Sequence, residues 1–108
     1  MALKNWNLSS VTPNTITNLG SPGANKEIAT VSTIITNYDA TSSATVEVTL
    51  TDSANAVKGY VVAPTVIATN DTLYIDSKVF IASSATPDKL RVKSSVANTS
   101  FITSLDES

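Results

Sequence analysis

The sequence predicts an all-β chain folded as one small β-sandwich, and three observations carry that expectation. First, the chain is rich in Val, Thr, Ser and Asn. Val and Thr suit pleated strands because their branched Cβ atoms are stiff and pack well there, while Ser, Asn and Asp compete for local backbone hydrogen bonds and favour turns. Second, Thr45 to Thr51 alternates without a break: Val46, Val48 and Leu50 point one way, and Thr45, Glu47, Thr49 and Thr51 the other. A period of two is the signature of a strand with one buried and one solvated face. Third, turn signals recur at intervals of about eight to twelve residues, and no segment sustains a helical period.

Length and composition set the limits. At 108 residues the chain is one domain, large enough to bury roughly 65% of its unfolded surface. Hydrophobic residues make up 42% and charged residues 15%. The formal net charge of −2 speaks against a general nucleic-acid-binding role, which needs a basic excess. Cysteine and histidine are both absent, which removes Ser-His-Asp and Cys-His nucleophile systems, disulfides and the commonest zinc sites. No cofactor is expected. No stretch approaches the roughly 18 apolar residues of a membrane span, and the start, MALKNWNLSS, lacks an apolar signal core. A soluble chain with no membrane partner is the expectation.

The elements follow in order. In Leu3 to Leu8, Leu3, Asn5 and Asn7 alternate with Lys4, Trp6 and Leu8. This segment is either a first strand with Trp6 turned inward or an extended arm that completes its fold on a neighbour. Asn18 to Asn25 (NLGSPGAN) is turn chemistry in which Pro sets φ and Gly supplies positive φ. Residues 1–27 thus read as an N-terminal arm and first strand, and 28–108 as the sandwich core.

Ala29 to Asn37 is dense in Val, Ile and Thr, with Val31 and Ile35 on one face and Ile34 on the other. That pattern suggests cover on both sides and a central place in its sheet. With Thr45 to Thr51 and the polar link between them, it reads as the central hairpin. Val57 to Ala63 is a strand that stops at Pro64, and Thr65 to Ala68 is a short one. Thr72 to Asp76 and Lys78 to Ala82 are two short strands or one bent strand with a bulge near Ser77. Lys89 to Ser94 alternates, with Leu90 and Val92 inward, and Ser100 to Leu105 closes the fold. About seven or eight strands result, in jelly-roll or immunoglobulin-like order.

No constellation of residues supplies a catalytic or metal site. The carboxylates Asp39, Asp52, Asp71 and Asp88 sit in turns, where they act as turn formers. Asn70, Asp71 and Asp76 lack the spaced carboxylate pattern of a calcium loop. Two features remain as candidate contacts. Lys89, Arg91 and Lys93 form a basic row on one strand face, fit to dock an acidic surface; the plainer reading is a solvated face or an edge guarded by lysines. Trp6, flanked by Leu3 and Leu8, is either an anchor for a partner pocket or the lid on one end of the domain's own core.

With the strands laid out, the chain resembles a family of small tailed-bacteriophage virion proteins, β-sandwiches of the head-decoration, neck or tail accessory kind. The resemblance rests on Ala29 to Asn37 (ATVSTIITN), Ala44 to Leu50 (ATVEVTL), Thr65 to Ile75 (TVIATNDTLYI), Val79 to Ser95 (VFIASSATPDKLRVKSS) and the closing SFITSLDE. It covers Ile28 to Glu107, and Pro87-Asp88 stands where the family usually has Gly-Asp. It implies a non-catalytic structural protein of the virion, assembled in the host cytoplasm and present in many copies as a homo-oligomer or symmetric array. Its partners would be other virion proteins, either major capsid or neck and tail proteins. The alternative from a different class is an extracellular carbohydrate-binding or adhesin-like sandwich, which an exposed aromatic pair such as Tyr60 and Tyr74 would favour.

Overall fold

Nine strands and no helix form the described part of the chain, residues 2–76 and 78–108 of a computed structural model. They are β1 (Ala2–Leu8), β2 (Thr17–Gly20), β3 (Ile28–Asn37), β4 (Ala44–Thr51), β5 (Val57–Ile67), β6 (Asp71–Ile75), β7 (Phe80–Ile81), β8 (Lys89–Ser94) and β9 (Thr99–Glu107). A five-stranded sheet runs β1-β9-β3-β6, with β7 also on β3, and a four-stranded sheet runs β2-β8-β4-β5. All pairings are antiparallel. The bulge expected near Ser77 lies outside the described residues.

The pairings β1 with β9, β2 with β8, β3 with β6 and β4 with β5 are those of one long hairpin whose tip is the β4–β5 turn. Rolling that ribbon so that β9 meets β3 and β8 meets β4 produces the two sheets. This is the jelly-roll arrangement, which decides between the two orders the sequence allowed.

Two expectations about connections are corrected here. The stretch from Ile28 to Asp52 is not a hairpin, because β3 and β4 lie in different sheets. The link after β3 is a corner between layers, and Asn37 makes it one. Its side chain is fully buried; Nδ2 donates to the carbonyls of Ser42, Ile67 and Ala68 at 2.8, 3.1 and 3.3 Å, while Oδ1 accepts the Asp39 N–H at 3.0 Å. The hairpin is instead β4–β5, closed by Asp52, whose Oδ1 accepts the N–H groups of Ala54 and Ala56, both at 2.9 Å. The second correction concerns Pro64, which does not end a strand. It lies within β5, an edge strand whose 11 residues oppose the 8 of β4. Bulges at an edge are where a residue without an N–H is tolerated.

Of the two readings of the N-terminal segment, the structure takes the first strand and not the extended arm. Residues 2–8 pair with β9 along their whole length, and Leu19 of β2 is a core residue. The inner faces meet in one cluster around Ile35, Val46, Val48, Leu90, Val92 and Phe101 and a second around Ile28, Ile81 and Leu105. Trp6 packs against both clusters. The strand therefore folds on its own domain, where the indole, a large apolar side chain, buries area against both clusters. In β3 the pairing with β9 shifts register between Thr30 and Ser32, so Val31 turns outward while Thr33, Ile35 and Asn37 keep the inward phase.

The expected positive-φ glycines are absent. Among the described residues the four with positive φ are Asn14, Asn25, Asn55 and Asn70, and no glycine has one. Asn tolerates the left-handed region because its side chain can hydrogen-bond locally. Gly20 serves packing instead: a Cβ there would overlap the indole of Trp6.

Candidate contact surfaces

The fold separates the six candidate contact residues into three groups. Leu3 is 79% exposed and stands on the outer face of the five-stranded sheet. Trp6 and Leu8 are half-buried on the inner side of the same strand, packed on the core. Trp6 is thus the lid of the plainer reading, lying between β1 and β2 at one open side of the sandwich. Lys89, Arg91 and Lys93 share the outer face of the other, four-stranded sheet.

The basic row is not an edge guard, because β8 lies between β2 and β4. Cross-strand register sets Lys93 against Glu47, Arg91 against Thr49 and Lys89 against Thr51. Arg91 Nε donates to Asn18 Oδ1 at 2.8 Å, and Lys93 Nζ stands 4.0 Å from Glu47 Oε1. The outer face of β4, expected to be solvated, is covered in part: Thr49 and Thr51 are buried beneath neighbouring long side chains. Arg91, Lys93, Tyr60 and Val57 with these threonines line a groove of about 200 Å³. Two of the three cations of the row, Arg91 and Lys93, are engaged within the fold, so the row is a partnered sheet face before it is a docking surface.

One surface was missed in the sequence. On the outer face of the five-stranded sheet, Ile102 stands opposite Ile34, and Ile34 opposite Tyr74. Val31 and Leu3 extend this apolar row, with exposures of 47 and 79%. The outward positions of these strands carry one charged side chain, Asp106, whose Oδ1 is buried without a hydrogen-bond partner among the described residues. The signal was present in the two-sided apolar character of ATVSTIITN, which implied cover on both faces. The protein's own fold covers only the inner one.

Two carboxylates are held in their charged form at opposite ends of the sandwich. Asp39 is pushed below the usual carboxylate range by the backbone N–H groups of Ser42 and Thr41, which reach Oδ2 at 2.9 and 3.1 Å, and further by the Asn98 amide. Glu107 is lowered first by the Gly23 N–H and then by Lys4, each 3.0 Å away. For a carboxyl whose folded pKa is depressed, the stabilisation is present above the unfolded pKa and lost as pH falls through the folded one. The denaturation midpoint should therefore hold at neutral pH and fall progressively below about pH 4.5. Asp39→Asn and Glu107→Gln should each flatten that acid limb when midpoints are compared between pH 6 and pH 2.

Among the described residues, no three His, Cys, Asp or Glu side chains group as metal ligands, and no helix is long and apolar enough to cross a membrane. No family model and no curated protein matches the chain. One solved structure is similar in fold: a chain in the crystal structure of the T13 IBDV viral particle, with a TM-score of 0.58 and 11% sequence identity. The likeness covers 98% of this chain and 30% of that one. At that identity the likeness is one of fold alone, and it leaves the tailed-phage family unsupported. What the comparisons show of this chain is an all-β sandwich shared, across nearly its whole length, with part of a virus-particle protein.

Proposed function

We propose that this protein is a non-catalytic structural component of a bacteriophage virion, docking in multiple copies on the capsid or the neck and tail as a decoration or accessory protein. The observation that supports the reading most is the fold likeness to a virus-particle chain over 98% of the present sequence. Jelly rolls serve viral capsids and lectins alike, and function resides in the surface carried by the fold. Here the outer face of the five-stranded sheet, with Asp106 as its one charged side chain, supplies broad, shallow contact rather than a cleft. Modest contacts per subunit become secure when an array repeats them.

Cosedimentation with phage particles purified from a strain lacking the protein tests this reading. Stoichiometric rebinding to such particles is the expected outcome. Failure to rebind, with the folded protein left in the supernatant, would sink it.

The second reading, a carbohydrate-binding module, has one observation in its favour. Tyr60 and Tyr74 are both exposed, at 58 and 74%. They stand on the outer faces of different sheets, however, and so cannot stack on one sugar. Tyr60 instead shares a groove of about 350 Å³ with Phe80 and Lys78 on the open side beside β5. Glycan-array binding that is lost in Tyr60→Ala would move the assignment to that groove.

A further inference from the structure

We infer that β1 is the site of self-association, pairing with β1 of a second copy across a two-fold axis at Asn5 to join the two five-stranded sheets. A sheet edge offers a row of backbone N–H and C=O groups to any strand that fits, and native proteins blunt such edges. Three of the four edges in this sandwich are blunted. In β5 there are bulges and Pro64. The edge formed by β2 has 4 residues and a bulge, and that formed by β6 has 5 residues. The exception is β1, whose 7 residues pair with β9 in unbroken register, with no proline and no bulge, while its other side carries no strand among the described residues.

The side chains of β1 select both the partner and the register. An antiparallel two-fold pairing centred on Asn5 uses the whole of Ala2–Leu8. It sets Asn5 against its own copy, where two amides can exchange hydrogen bonds because each carries a donor and an acceptor. On the same outer face Leu3 meets Asn7 of the other copy. On the inner side Lys4, whose ammonium also bonds Glu107 of its own chain at 3.0 Å, comes beside the partner's Trp6, and an ammonium beside an indole is an attractive pairing. Moving the axis to Lys4 would place two like charges directly opposite each other, which destabilises a ladder. Moving it to Trp6 would leave Ala2 and Leu3 unpaired. The Asn5 register also carries the exposed apolar row of Ile34 and Ile102 onward, through Asn7, to the partner's Leu3.

The absence of cysteine makes the test clean. In the Asn5 register, Asn5→Cys places two thiols opposite each other at a Cα separation of about 5 Å, within disulfide range. Leu3→Cys and Asn7→Cys each lie about 13 Å from their own copies but face one another. Under a mild copper oxidant, Asn5→Cys should cross-link most of the protein as a dimer. Leu3→Cys and Asn7→Cys should each remain monomeric under denaturing conditions when oxidised alone, and cross-link when mixed. Sedimentation of the parent protein should show dimer at tens of micromolar. A parent that stays monomeric at about ten times that concentration would overturn the inference, as would cross-linking indifferent to position. The measurements use the isolated chain, so their failure is separate from failure to rebind particles.

Discussion

Replacing Asn37 by alanine is expected to lower stability by about 3 to 4 kcal/mol, among the largest effects of any single polar substitution here. The reason is geometric. Asn37 is fully buried at the corner between β3 and β4, its amide offers donors and an acceptor together, and the groups it satisfies belong to two segments distant in sequence. Ile67 ends the edge strand of the other sheet and Ala68 follows it, while Asp39 and Ser42 lie in the corner loop. Alanine leaves those carbonyls and an N–H beside a buried cavity, and each unsatisfied buried group costs about 1–3 kcal/mol.

Asn37→Asp sharpens the test. It keeps the shape but turns the donor end into a carboxylate facing carbonyl oxygens, so at neutral pH it should be less stable than Asn37→Ala. Burial would raise the pKa of that aspartate in the folded state. Its penalty should then shrink as pH falls toward the unfolded carboxylate range and grow as pH rises through the folded pKa. Urea midpoints for both variants at pH 7 and pH 4.5 check the argument. A loss below about 1 kcal/mol in Asn37→Ala would show that the corner is held by something else.

The second large effect is expected at Gly20. A Cβ on Gly20 falls within the Trp6 ring system, and a clash of that kind cannot be relieved by a rotamer change at the glycine. Gly20→Val should destabilise by about 3 kcal/mol, the upper part of the usual range for overpacking. The indole is the chain's only tryptophan, so displacement into water should appear as a red shift of the fluorescence. The two sites should be coupled. In a Trp6→Leu background, which removes most of the obstacle, Gly20→Val should cost markedly less, and the difference is a direct measure of the contact. Equal costs in both backgrounds would mean that the valine disturbs β2 rather than the Trp6 stack.

Both predictions concern residues whose local sequence gave no warning. Asn37 reads as the polar end of a Val/Ile strand, a natural start to a turn, and a hairpin turn and an inter-sheet corner use the same polar residues. The difference lies in which strand arrives on the other side, and the Ile67–Ala68 segment that receives the amide is 30 residues away. Trp6 and Gly20 are similar. A glycine among Asn, Ser and Pro reads as turn chemistry, and only the stacking of β1 over β2 gives it a different purpose.

What the sequence determined by itself was where most of the strands lie, apart from the false stop at Pro64 and the strand β1 left open against an arm, and, within most of them, the face each residue takes. The alternation in Lys89 to Ser94 sends Leu90 and Val92 to the core and the cations outward, as the structure has it. Thr45 to Thr51 likewise keeps its expected phase against β8. Those outcomes are local, because side-chain direction in a strand has a period of two whatever the strand pairs with. The tertiary structure alone decided which strands are neighbours, and therefore the jelly-roll order, the corner at Asn37 and the burial of Thr49 and Thr51 on a nominally outer face. It also decided the contact surfaces. Trp6 was drawn into its own domain, two of the three cations on β8 gained partners, and a row of apolar side chains was left open on the other sheet. Pairing over long separations is fixed by the sum of packing across the whole core, and no single segment carries that sum.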